Sequence, residues 1–341
     1  MKALVLTEYK RLEFKDVPKP VIANPTEVLV KIEAAAICGS DVHGWDGSTG
    51  RRKPPIIMGH EGSGIVEEVG SLVTGFKAGD RVTFDSTIFC GSCAFCRSGL
   101  FNLCDNRRVL GVSCDEYRRD GIFAEYAIVE ERVLFHLPEG LSFAEAAFAE
   151  PAGVAAHAVS LAPPKLGEDV AVVGAGLIGL LIIKVLRTMT AGRIFAIEVD
   201  ENRRKKALEV GADHALDPAD IDEVATLTAG ALVPTVFEAV GATGPIKTAI
   251  SIARKGGTVV LVGNVSPQIE IPLQSVVTRQ IRLQGSCAIN GEYPAVLSMM
   301  AGGTLDVRDL VSTTAPLSEG EAWFKKLYNR EEDLLKVVLI P

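Results

Sequence analysis

Short apolar alternations punctuated by glycine fill the first 150 or so positions of the chain. Val28, Val30 and Ile32 share one face of the segment from Thr26 to Ile32. Gly62 to Val69 and Asp80 to Phe84 repeat the two-residue period. Short alternating strands joined by glycine turns predict an antiparallel, barrel-like domain. The opening run to Glu8 reads as a first strand, too short an apolar run for an export signal. From Asp169 the period changes. Val170 to Val173 predicts a buried strand, followed by an apolar helix through Leu186 and a strand from Arg193 to Ile197. A helix over Asn202 to Val210 and strands at His214 to Leu216 and Thr235 to Ala239 follow. Then come a helix over Ile246 to Arg254 and strands over Thr258 to Val262 and Ile281 to Gly285. Strands alternating with crossover helices predict a doubly wound parallel sheet of the Rossmann type, so the fold class is α/β with a second, β-rich domain. From about Cys287 the pattern loosens and the chain is expected to return to the first domain. The expected domains are 1–152 with 287–341, and 153–286.

A chain of 341 residues with 48% hydrophobic positions can fill two cores. A net charge of −8 leaves no basic footprint, so no nucleic-acid partner is expected. The most apolar stretch, Val170 to Leu186, is broken by three glycines and carries Lys184, so no membrane span is expected. These features predict a soluble, cytoplasmic protein, and seven cysteines in such a chain point to thiols or metal rather than disulfides.

Two stretches carry metal-type chemistry. Cys38, His60 and Glu61 bring a thiol, an imidazole and a carboxylate together, with Ser40 and His43 beside them. A catalytic zinc takes three such ligands and leaves a fourth position open. The competing reading of Cys38 is a small core residue. Cys90, Cys93, Cys96 and Cys104 form a CxxCxxCx7C cluster within a lobe at about 88–106. Four thiolates at this spacing suit a closed, structural zinc; the usual four-iron run needs a shorter last gap and a trailing proline. Cys114 and Cys287 are left over, without a nameable partner. Glu150 is an acid among Phe143, Ala146, Ala147 and Phe148, so it either caps a helix or points at something positive.

Gly174-Ala-Gly176-Leu177-Ile178-Gly179 follows a predicted strand, opens a predicted helix, and is trailed about 20 residues on by Glu198 at a strand end. The glycines let a pyrophosphate meet the helix N-terminus. Glu198 would accept hydrogen bonds from ribose hydroxyls and repel a 2′-phosphate, which favours NAD over NADP, although a nearby Arg203 could accept a phosphate. Val262, at the end of the fifth predicted strand, joins the expected cofactor set.

Taken together, Cys-Gly-Ser-Asp at 38–41, Gly-His-Glu at 59–61, the four-cysteine lobe and the glycine fingerprint resemble the zinc-dependent medium-chain alcohol and polyol dehydrogenases over essentially the whole chain. The resemblance implies a GroES-like catalytic domain beside the Rossmann domain. It further implies a catalytic zinc held by Cys38, His60 and a third group, with Glu61 as a possible ligand and Glu150 holding the metal or its water. The alcohol dehydrogenases proper carry a cysteine where this chain has Glu150, which points to the sorbitol (polyol) branch. By the same resemblance Ser40 and His43 carry the alcohol proton outward, Lys336 lies near the pyrophosphate although Leu335 replaces the usual glycine, and the chain forms a homodimer or homotetramer through residues 280–300. Sorbitol dehydrogenases have an Arg shortly after the last Rossmann strand; Gly285 to Tyr293 has none. The implied activity is oxidation of a secondary alcohol, a polyol or a sugar alcohol with or without phosphate, by hydride transfer to NAD. A threonine 3-dehydrogenase ranks second, having an Asp-Pro pair where this chain has Glu150-Pro151, and a non-catalytic binding protein of the same fold ranks third. Arg51, Arg52 and Lys53 read as solvated surface, with a substrate-phosphate clamp as the alternative.

Overall fold

The computed structural model describes residues 1–341 except 115, 116, 190, 191 and 332. The chain divides into two compact units, 1–150 with 289–341, and 151–288. The boundaries therefore differ by two residues from the expected 152/153 and 286/287. At the second crossing Ile289 is buried and the Tyr293 hydroxyl donates to the Phe84 carbonyl at 2.5 Å, which anchors the returning chain in the first unit.

In the first unit the strand Glu27–Ala36 is the hub of a seven-stranded sheet. It pairs antiparallel with Glu61–Val69, Tyr126–Glu130 and Val337–Ile340. Its alternation decides the register: Val28, Val30 and Ile32 all enter the core with Phe84 and Phe123. The sheet is not wholly antiparallel, as the expectation had it. Thr313–Pro316 runs parallel to Val337–Ile340 because the helix Gly320–Asn329 lies between them, long enough for a crossover.

The second unit holds a six-stranded parallel sheet. Its order is His214–Leu216, Ile194–Ile197, Val170–Val173, Val233–Glu238, Ala253–Leu261, Arg282–Gly285. Val170 to Val173 are all buried, as a central parallel strand covered on both faces requires. Strand order reverses beside Val170–Val173, which makes its C-terminal end the switch point where ligands of such sheets bind. The helix Thr243–Ile252 ends before Arg254, because Ala253 is already extended and opens the next strand. Among the described residues no helix is long and apolar enough to cross a membrane.

Candidate active site and metal centres

The strand Glu27–Ala36 delivers Cys38 to the N-cap of a seven-residue helix, Gly39–Trp45. Cys38 is extended there, and its N–H donates to the Asp41 carboxylate at 3.3 Å. Ser40 and His43, three residues apart, share a helix face and are exposed. Gly59, with φ +91°, turns the chain so that His60 and Glu61 follow, and Glu61 opens the adjacent strand.

The Cys38 sulfur, an imidazole nitrogen of His60 and a Glu61 carboxylate oxygen lie within 4.8 Å of one another. His60 Nδ1 faces Asp41 Oδ1 at 3.3 Å, an approach too poorly aligned for a good hydrogen bond, and this leaves Nε2 for a metal. Burial works against a charged His60, but Asp41 and Cys38 outweigh it and hold its pKa well above the ordinary value. Glu150 stands outside the triple, in the first turn of the helix Ala149–Leu161, with the Ser86 hydroxyl donating to its carboxylate at 3.1 Å. Burial raises its pKa to about 7, with Glu61 and Asp85 adding to the effect and His60 opposing it. A half-buried thiol and three buried acids (Asp41, Glu61 and Glu150) thus gather, among the described residues, with two buried cations, Arg52 and Lys336, and the imidazole of His60. That excess of soft and anionic donors is what a zinc dication would offset, so the residues fit the ion.

One expectation is corrected here and one gains a partner. The Lys336 ammonium, expected near the pyrophosphate, lies 2.5 Å from Glu61 Oε2 and 3.1 Å from the Ile37 carbonyl, fully buried. A cation is needed there because Glu61 is itself buried. Arg52, expected at the surface with Arg51 and Lys53, is only 4% exposed and bonds Asp41 Oδ1 at 3.0 Å and Ser40 Oγ at 3.2 Å. Arg51 and Lys53 are exposed as expected. Nothing in the hydrophobic pattern marks one of three adjacent loop cations as buried. Asp41, by contrast, sits in the Cys-Gly-Ser-Asp run and could have been singled out as the partner of His60.

The four lobe cysteines converge as their spacing predicted, with sulfurs mutually within 4.8 Å. Cys90 and Cys96 are 4.0 Å apart, against about 3.8 Å for two thiolates 2.3 Å from one tetrahedral zinc. The short helix Ala94–Arg97 carries Cys96, and backbone N–H groups of Ser92, Cys93, Cys96 and Asn106 aim at the sulfurs. Those of Ser92 and Cys93 help bring the Cys90 pKa down to about 5, while burial pushes Cys96 up to about 12. The side chain of Cys114 lies outside the described residues. Cys287 falls at the end of the second unit, away from both ligand clusters in the sequence.

In the second unit Gly174 has φ +94°, and a Cβ at Gly179 would collide with the Gly174 carbonyl. Beside Gly176 the space is open, and no side chain caps the helix Leu177–Thr188, so its first turn with Leu177 and Ile178 is free to receive an anion. The Glu198 carboxylate is fixed by the N–H groups of Ala175 (2.8 Å) and Asp200 (3.1 Å), which ties the second strand end to the glycine loop. Arg203 donates its N–H to the Asp200 cap and is half-buried. Arg204 rather than Arg203 reaches back, binding the Glu198 carbonyl and the Asp217 carboxylate. Val262 follows the strand end, its N–H on the Glu238 carbonyl.

A unit with a thiol–imidazole–carboxylate cluster, in one chain with a dinucleotide fold, is the combination of a metal-dependent dehydrogenase. Residues 24–139 match the alcohol dehydrogenase GroES-like domain family and 178–302 the zinc-binding dehydrogenase family. D-xylulose reductase A of Aspergillus niger is 33% identical over 338 residues, covering 95% of this chain and 93% of that protein. An alcohol dehydrogenase of Thermus sp. ATN1 superposes with TM-score 0.93 at 31% identity, over 100% of this chain and 99% of that one. A Sinorhizobium meliloti structure described as a zinc-binding dehydrogenase and bound to NADP superposes with TM-score 0.90 at 32% identity, over 100% and 99%. The chain belongs to the zinc-dependent medium-chain alcohol and polyol dehydrogenases, oxidoreductases acting on CH–OH groups.

Proposed function

We propose that the protein oxidises a secondary hydroxyl of a polyol to the ketone with NAD as acceptor. The observation that carries the reading is the Cys38–His60–Glu61 cluster, its thiol half-buried and its imidazole and carboxylate buried, with Glu150 nearby, an acid where the alcohol dehydrogenases proper have a cysteine. The likeness to a D-xylulose reductase supports a polyol substrate. In this reading Cys38 and His60 hold the catalytic zinc, Glu61 or Glu150 completes its protein ligands, and Cys90, Cys93, Cys96 and Cys104 hold a second, structural zinc. When bound, the catalytic ion supplies Lewis acidity toward a hydroxyl and the nicotinamide accepts hydride. Ser40 takes up the substrate proton, and His43, on the same exposed helix face, passes it outward. Glu61 is paired with Lys336, so its carboxylate stands beside His60 without being a bare buried charge.

Glu198 supports NAD, because a carboxylate fixed at that strand end disfavours a 2′-phosphate. A free polyol is favoured over a phosphorylated one, since Arg52 is already committed to Asp41 and Ser40. Residence in the cytoplasm and assembly as a dimer or tetramer through residues 280–300 belong to the same proposal. Among the described residues the strand Arg282–Gly285 pairs on one side only, which supports an intersubunit contact. The test is reduction of NAD and of NADP by the zinc-loaded protein over free polyols, polyol phosphates, butanediol and threonine. Turnover of free polyols with NAD is expected; turnover of threonine alone, or of none, would overturn the substrate assignment.

A further inference from the structure

The buried cation Arg52 has a use that solvent exposure of its neighbours hides. One terminal nitrogen, Nη2, carries two hydrogens and meets two acceptors, Ser40 Oγ at 3.2 Å and Asp41 Oδ1 at 3.0 Å. Asp41 is fully buried; its other oxygen takes the Cys38 N–H, and Oδ1 also faces His60 Nδ1. A single guanidinium nitrogen therefore touches both the proposed proton carrier and the carboxylate that orients two proposed zinc ligands. The fold makes room for this. A Cβ on Gly44 would lie 3.0 Å from Arg52 Cδ and closer still to Cγ, so the helix lacks a side chain where the Arg52 stem crosses it. Arg52 Nε is buried without a partner, a cost accepted at this position.

A hydroxyl has two acceptor lone pairs and one hydrogen to donate. With one lone pair of Ser40 Oγ held by Arg52, one acceptor and one donor remain. We propose that Arg52 is a positioning residue that polarises Ser40 into a one-way carrier, accepting from substrate and donating outward, while clamping Asp41 behind the zinc ligands Cys38 and His60. The inference rests on the proposed reading of Ser40 and of the zinc site, and its two arms are read separately.

The experiment compares wild type, Arg52→Met, Arg52→Lys, Ser40→Ala and Arg52→Met/Ser40→Ala. Turnover of a free polyol with NAD is measured together with zinc affinity of the Cys38 site by chelator competition, with Cys38→Ala protein as the blank for the lobe zinc. Arg52→Met is expected to lower kcat by ~10- to 100-fold with little change in KM, and to weaken zinc binding within the same range, as loss of a group behind metal ligands does. The double variant should be no slower in kcat than the slower single variant, because both substitutions break one path. Arg52→Lys should recover part of both losses. Unchanged kcat and zinc affinity in Arg52→Met, or kcat losses that multiply in the double variant, would overturn the proposal. If Arg52→Met is insoluble, Arg52→Lys against Ser40→Ala carries the same comparison. A wild type that binds zinc yet oxidises no alcohol would sink the functional reading, and the zinc measurement alone would then decide Arg52.

Discussion

Lys336 Nζ lies 2.5 Å from Glu61 Oε2, and both side chains are 2% exposed or less. Burial disfavours the ammonium, but Glu61 and Cys38 outweigh it and raise the Lys336 pKa. Removing one partner leaves the other charged and unpaired in the interior, which costs about 3–5 kcal/mol. Lys336→Met should therefore lower the urea midpoint strongly, and Lys336→Met/Glu61→Leu should recover much of the loss. A midpoint unmoved by Lys336→Met would show that water or another cation reaches Glu61.

Cys38 stands at the helix N-cap rather than deep in the core, and its side chain is half-buried. Cys38→Ala should accordingly keep the fold, lower the zinc content from about two ions to about one per chain, and abolish NADH production. Metal analysis with circular dichroism checks all three. Retained turnover at full zinc loss from this site would remove Cys38 from the chemistry.

The lobe is different in kind. Between Cys90 and Cys104 few side chains are buried, and Phe95, Leu100 and Leu103 are exposed, so little apolar packing holds it. Its fold then depends on the sulfurs and their ion. Cys93→Ser should lose one zinc, open the segment to limited proteolysis, and lower the thermal midpoint before it touches kcat. Protease resistance equal to wild type with one zinc missing would refute that dependence.

Both sheets were readable from periodicity because they bury runs such as Val170 to Val173 and Val28, Val30 and Ile32. The two ligand clusters were readable because metals and dinucleotides constrain spacing within short segments. What stayed hidden was pairing between distant segments. Lys336 meets Glu61 across 275 positions, and Ser86 meets Glu150 across 64. No local pattern encodes such contacts. The burial of Arg52 was hidden for a related reason: it depends on the space left by Gly44, which composition marks only as a glycine. The parallel pair of Thr313–Pro316 with Val337–Ile340 fell in the stretch where periodicity is weakest.

Glu238 offers a pH test remote in sequence from the proposed metal ligands. It is fully buried at the end of the strand Val233–Glu238, with the N–H groups of Val240 and Gly241 donating to its carboxylate. Burial raises its pKa, and those two donors, which favour the charged form, do not fully offset it. The folded state therefore binds this proton more tightly than the unfolded chain does. Its stabilising contribution is complete below the ordinary carboxylate pKa of about 4.3 and is lost as pH rises through the raised folded value. Glu238→Gln holds the neutral form at every pH while keeping an acceptor for the two N–H groups. Relative to wild type, the variant's urea midpoint should thus climb as pH rises from about 4.3 through the raised folded value, whatever its fixed offset at low pH. A difference that stays flat across that range would mean that Glu238 is charged throughout and that the two N–H donors, not burial, set its protonation.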